Sequence, residues 1–239
     1  INGTAQAVLQ VTVFSGRFPI GSAAFVLSPA LAAAVGAPVY GVSFGDDFYI
    51  SAPVDSRFLW CRFAQGGVVI EECTLFDRLL VSASPADDPG PYQARIPGGA
   101  PICVHEGRLV LLGPPNDPDT VFWSNIGDAR GWSGGNYNRI RAGGRITGGW
   151  SLDHYVIVFK ERMTHAMYGG FTTAEDTKSL VIDPAHGSVS HRGTVPIGGN
   201  ALVTVGHDGV YVVRPGTALE CITEDLTNYL RGELTQEWG

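Results

Sequence analysis

The chain has 239 residues, a formal net charge of −7 and a pI near 5.3. Gly and Pro make up roughly 20% of it against the usual ~12%, while 16% of residues are charged and 44% hydrophobic. That excludes a disordered chain, which lacks apolar mass for a core, and a helical bundle, which needs far more Glu, Lys, Leu and Ala; the acidic balance argues against sequence-specific nucleic-acid binding.

Read from the N-terminus, the sequence opens on Ile1 rather than an initiator Met, which predicts a processed chain or one with residues upstream. The lone sequon Asn2-Gly3-Thr4 is a weak signal of secretion. A β-branched and aromatic run over residues 8–14 ends at Ser15-Gly16 and reads as a strand. The longest apolar stretch, residues 23–42, is broken by Ser28, Pro29, Gly36 and Pro38, so no membrane span is expected. Within it, residues 28–36 predict a short helical excursion: Ser28 suits an N-cap, Pro29 the first helical position, and Gly36 the end.

Further strands are expected over 58–63, 108–112, 155–159, 201–205 and 210–213, most of them bounded by Gly, Pro, Asp or Asn. His207-Asp208-Gly209, between the last two, is a hairpin signal. A weak helical pattern covers 223–238. Cys61, Cys73, Cys103 and Cys221 are scattered with no C-x-x-C pair, which predicts free thiols rather than a zinc site or a disulfide framework.

Taking Val11, Trp60, Leu109, Val156 and Val203 as centres of comparable runs, the intervals are about 47–49 residues. Such a period, with several short strands per unit and no helical periodicity, predicts a β-propeller of repeated four-stranded blades over residues 1–239, as a single domain or a fragment of one. The alternative is a two-sheet sandwich, whose strands are also evenly spaced.

Candidate chemistry is sparse. His105, His154, His165, His186, His191 and His207 show no H-E-x-x-H or H-x-H spacing and read as turn or surface residues. There is no G-x-S-x-G elbow, and the Gly134-Gly135 and Gly143-Gly144 stretches lack the pattern of a phosphate loop. Asp46-Asp47, Asp87-Asp88, Asn116-Asp117-Pro118-Asp119 and Glu71-Glu72 could supply a glycosidase pair or a calcium site, but all except the last sit beside Gly or Pro, where turn chemistry accounts for them. Trp123 and Trp132 bracket a turn-rich segment and read as packing residues. Arg139, Arg141 and Arg145 form the one local basic cluster, suited to intersubunit contact. No catalytic, cofactor-binding or metal-binding residue is assigned.

The segments FWSNIGDARGW (122–132), GGRITGG (143–149), VIVFKERMTHAMYG (156–169) and GSVSHRGTVPIGGNALVTVGHDGVYVV (187–213) resemble the β-propeller structural proteins of tailed bacteriophages, of the tail-hub or nozzle kind. The likeness spans about the C-terminal half and lies mostly in blade turns and packing positions. It implies a virion protein of the tail or neck without enzymatic activity or cofactor. Such a protein forms a homo-oligomeric ring around the DNA path, touches adaptor, hub or fibre proteins, and contacts passing duplex without sequence specificity. SNIGDARGW also resembles the Asp-box turn of sialidase propellers, but Gly127 precedes Asp128, so the order departs from that motif. The alternatives are a carbohydrate-active propeller enzyme, with carboxylates of several repeats converging in one pocket, and a host-receptor-binding module.

Overall fold

The structure, a computed structural model, describes residues 8–15, 18–26, 40–45, 47–51, 58–64, 67–72, 100–115, 117–129 and 131–223. Among the described residues the regular elements are strands and a 3-10 turn at His191–Gly193. The chain divides into two compact units, Ile1–Asp117 with Phe122–Asn136, and Pro118–Val121 with Tyr137–Gly239.

In the first unit, β1 (Val8–Ser15) and β2 (Phe18–Val26) form an antiparallel hairpin with Val8 opposite Val26. β3 (Tyr40–Phe44), β4 (Asp47–Ser51), β5 (Phe58–Ala64) and β6 (Gly67–Glu72) follow as a four-stranded sheet in chain order. β7 (Ile102–His105), β8 (Arg108–Leu112), β9 (Thr120–Trp123) and β10 (Tyr137–Arg139) make the next sheet, with the boundary between units running through β9. The second unit holds two whole sheets. One is β11 (Ile146–Leu152), β12 (Tyr155–Lys160), β13 (Thr164–Gly169) and β14 (Thr177–Asp183). The other is β15 (Thr194–Ile197), β16 (Ala201–Val205), β17 (Val210–Val213) and β18 (Glu220–Cys221).

Each four-stranded sheet is a meander of sequence-adjacent strands, the blade of a β-propeller. First strands lie side by side within each unit, β3 against β7 and β11 against β15. The fold is therefore all-β and built of four-stranded propeller blades, not the two packed sheets of a sandwich.

The second strands explain the period in the sequence. β8 is buried along its whole length, and so is Val156–Lys160 of β12, because both faces of these strands are covered. A strand covered on both faces loses the polar alternation of a half-buried one and reads as an unbroken apolar run. Leu109, Val156 and Val203 fall on the second strands of consecutive sheets, but Trp60 falls on the third strand of its sheet and Val11 on the two-stranded hairpin. The outer strand β14 shows the opposite character: residues 178–181 are exposed, as befits an edge.

One apolar cluster ties the two sheets of the second unit together. Leu152, Ile157, Phe159 and Ala166 come from the first, Leu202 and Val213 from the second, and Trp150, Tyr155, Ile182 and Leu219 pack around them. The predicted helices over 28–36 and 223–238 lie outside the described residues, apart from Thr223. Neither Cys103, which is buried, nor Cys221, which is half-buried, is in a disulfide. Among the described residues no helix is long and apolar enough to cross a membrane.

Candidate functional site

The tryptophan segment braces itself. Asn125 N–H donates to the Gly131 carbonyl at 2.6 Å, and the Asp128 carboxylate accepts from Gly131 N–H at 3.0 Å. The Asn125 side-chain oxygen accepts from Ser133 and Asn136, both at 3.0 Å. Trp123 is fully buried, and Trp132 is nearly so and donates its indole N–H to the Ala129 carbonyl at 2.9 Å. The packing role expected for both tryptophans is what the geometry shows, and Asp128 is a turn residue.

In the second unit polar side chains gather where β14 passes to β15. Thr194 and Thr204 share a hydroxyl contact of 2.8 Å across the β15–β16 pair, Thr204 donates to Ser188 Oγ at 2.8 Å, and Ser188 donates to the Ser190 carbonyl at 3.1 Å. All three hydroxyls are buried, so their mutual bonds offset the loss of water.

Beside them, His186 stands between two carboxylates. Its Nδ1 lies 3.1 Å from both oxygens of Asp183, its Nε2 lies 3.9 Å from Asp208, and its ring packs on Tyr211 at 4.9 Å between centroids. Tyr211 donates its hydroxyl to Asp208 at 2.7 Å. Burial alone would raise the Asp183 carboxyl, but the N–H groups of Ala185 and His186 and the imidazole hold it below the usual carboxylate range. Burial, the neighbouring Asp208 carboxylate and the hydroxyl bond push the Tyr211 phenol up. His191 is buried against Trp150, its ring stacked at 5.0 Å, and Gly149 N–H donates to its Nδ1 at 3.4 Å. Burial pushes its imidazole down to about 4.

A cleft of about 420 Å³ opens nearby, lined by Arg145, Thr147, Glu161, Arg162, Val189 and His207. These come from the start of β11, the β12–β13 turn, the β14–β15 connection and the β16–β17 turn. Main-chain bonds lock its walls: Glu161 N–H to Arg145 O and Arg162 N–H to Gly143 O at 3.1 Å, Ser188 N–H to Lys160 O at 3.1 Å, and Val189 N–H to Val205 O at 2.9 Å. Across the mouth, Arg145 Nε donates to Glu161 Oε1 at 2.9 Å.

Two members of the arginine cluster read from the sequence have different partners in the fold. Arg139 donates to Thr120 Oγ1 at 3.2 Å, while Arg145 turns to Glu161. Arg162, which no local spacing singled out, is the cation that the fold sets beside Arg145. Of the acidic runs, Asp119 pairs with Lys160 at 3.0 Å, whereas the side chains of Glu71 and Glu72 and the positions Asp46, Asp87, Asp88 and Asn116 lie outside the described residues. The reading of the histidines as turn or surface residues is corrected for His105 and His165, which are buried on strands, while His191 does open a turn, the one at His191–Gly193, and is buried there. The contacts of His165 with Ser179 and of His191 with Trp150 join residues far apart in sequence, so no local pattern marks these two as core. Among the described residues no three His, Cys, Asp or Glu side chains converge as a metal-ligand group.

No family model and no curated protein matches the chain. Solved structures similar to it include AztD from Citrobacter koseri at 10% identity and TM-score 0.45, covering 89% of this chain and 55% of that one. The apo form of AztD from the same organism matches at 12% identity and TM-score 0.45, covering 89% of this chain and 56% of that one. BBS1N in complex with ARL6DN, soaked with lead, matches at 13% identity and TM-score 0.46, covering 89% and 60%. The chain thus spans less than two thirds of the structures it matches, and likeness at this level says nothing of function.

Proposed function

We propose that the chain is a structural module of a bacteriophage virion, a tail or neck protein of the hub or nozzle kind, that forms a ring around the DNA path and contacts adaptor or other tail components. The observation that carries this reading is the employment of the carboxylates. Asp119 holds Lys160, Asp128 closes a turn, Asp176 accepts the Thr172 hydroxyl, Asp183 and Asp208 flank His186, Glu161 holds Arg145 and Glu220 holds Arg214. Asp183 and Asp208 do share a neighbour, but they come from two sheets and are joined through His186 and Tyr211. The cleft offers one carboxylate, already salt-bridged, where a glycosidase uses two.

Two further points support a scaffold. The segments that resemble tail proteins include the turns and strands that build the last two blades. A net charge of −7 suits a channel wall past which DNA moves without adhering. Native mass spectrometry of the purified chain, alone and with tail or neck components, tests the reading. A closed homo-oligomer or a stoichiometric complex is expected; a monomer that binds none of them under assembly conditions would sink it.

A further inference from the structure

We propose that the cleft lined by Arg145, Thr147, Glu161, Arg162, Val189 and His207 is a binding site for an oxyanion, a phosphate or a carboxylate, on a group up to the size of a sugar acid. The cleft lies within one compact unit and needs no neighbouring chain to be complete.

Charge is the first reason. In a protein of net charge −7, this cleft carries two guanidinium groups against one carboxylate. Glu161 meets Arg145 at Nε, one of the five N–H donors that a guanidinium carries. The Arg162 side chain makes no ion pair or hydrogen bond among the described residues, and neither does His207. Bringing two guanidiniums together with a single counter-charge leaves one positive charge uncompensated. A planar or tetrahedral oxyanion matches the guanidinium fork in geometry and in charge.

Room and rigidity are the others. A volume of about 420 Å³ falls in the range of small-molecule sites, far above the ~30 Å³ that one water occupies. The main-chain bonds that fix residues 143–145, 160–163, 188–189 and 205–206 hold the walls before a ligand arrives, so little ordering is lost on binding. Val189, well exposed, gives the cleft an apolar wall for the carbon frame that bears the anion.

The test is a titration of the full chain with sodium phosphate and with citrate at low ionic strength, followed by the backbone amide NMR signals of Arg162, Val189 and His207, with chloride as control. Saturable shifts at these residues are expected. They should weaken about tenfold or more in Arg162→Ala, the range a charge-assisted hydrogen bond gives. They should persist in Arg214→Ala, whose arginine pairs with Glu220 outside the cleft. Glu161→Gln should bind more tightly, because it frees Arg145, and it keeps the idea falsifiable if Arg162→Ala does not fold. Sedimentation with and without phosphate separates two sources of the anion: oligomers dissolved by phosphate identify an acidic side chain of another copy, and unchanged sedimentation identifies a free small oxyanion. Absence of saturable shifts with either anion, or equal weakening in Arg162→Ala and Arg214→Ala, would overturn the proposal.

Discussion

Lys160 is fully buried, and its ammonium meets the Asp119 carboxylate at 3.0 Å and the Ile140 carbonyl. A buried ion pair adds little net stability, but removing one partner strands the other and is costly. Asp119→Ala should therefore lose about 3–5 kcal/mol in urea unfolding, because it leaves the fully buried Lys160 ammonium without its counter-charge, and Lys160→Met, which removes that charge and keeps the apolar stem, should lose less. His191 makes stability depend on pH. Its imidazole titrates at about 4 in the fold against 6.5 ordinarily, so between these values the unfolded chain binds more protons. The full contribution is present above pH 6.5 and falls away as the pH is lowered toward 4, by on the order of 3 kcal/mol. His165, pushed down by burial and by the Lys160 charge, acts in the same sense. Asp183, held below its ordinary 3.8, adds stability that is lost only at more acid pH. Denaturant midpoints at neutral and mildly acid pH should show this slope, and His191→Phe, which keeps a ring against Trp150 but cannot titrate, should flatten it.

At the scale of elements, the junction between the last two sheets depends on close approach of main chains. A Cβ at Gly187 would run into the Lys160 carbonyl oxygen, which is backbone and cannot give way. Gly187→Ala should break the Ser188–Lys160 bond and cost several kcal/mol in thermal or urea unfolding. Gly198, in the β15–β16 turn with φ +59, has open space around it, so Gly198→Ala meets only the left-handed backbone penalty, about 1–2 kcal/mol. Much at this scale was legible in sequence. The runs at 108–112, 201–205 and 210–213 coincide with β8, β16 and β17, because apolar β-branched residues end abruptly at turn formers. His207-Asp208-Gly209 does turn the chain, with Gly206 N–H bonded to Gly209 O at 2.8 Å. The displaced anchor at Trp60 shows the limit: an apolar run marks a covered strand without saying which strand of its sheet it is.

For the molecule as a whole, net charge governs encounters with DNA. At −7 the chain should not retard a duplex in gel shift at physiological salt, whereas salt-sensitive retardation would mean a basic surface strong enough to grip phosphate and would count against a sliding channel. What the sequence determined unaided is local: strand identity, the turns between strands, and a repeat close to one blade, since these follow from burial alternation and backbone preference over a few residues. Only the tertiary structure decided which charges meet. Arg145, Arg162 and His207 come from three different connections, and the pairing of Asp119 with Lys160 or the stacking of His191 on Trp150 joins residues some 41 positions apart. Electrostatic and packing energies depend on separation in space, and that is set by how finished sheets lie against each other.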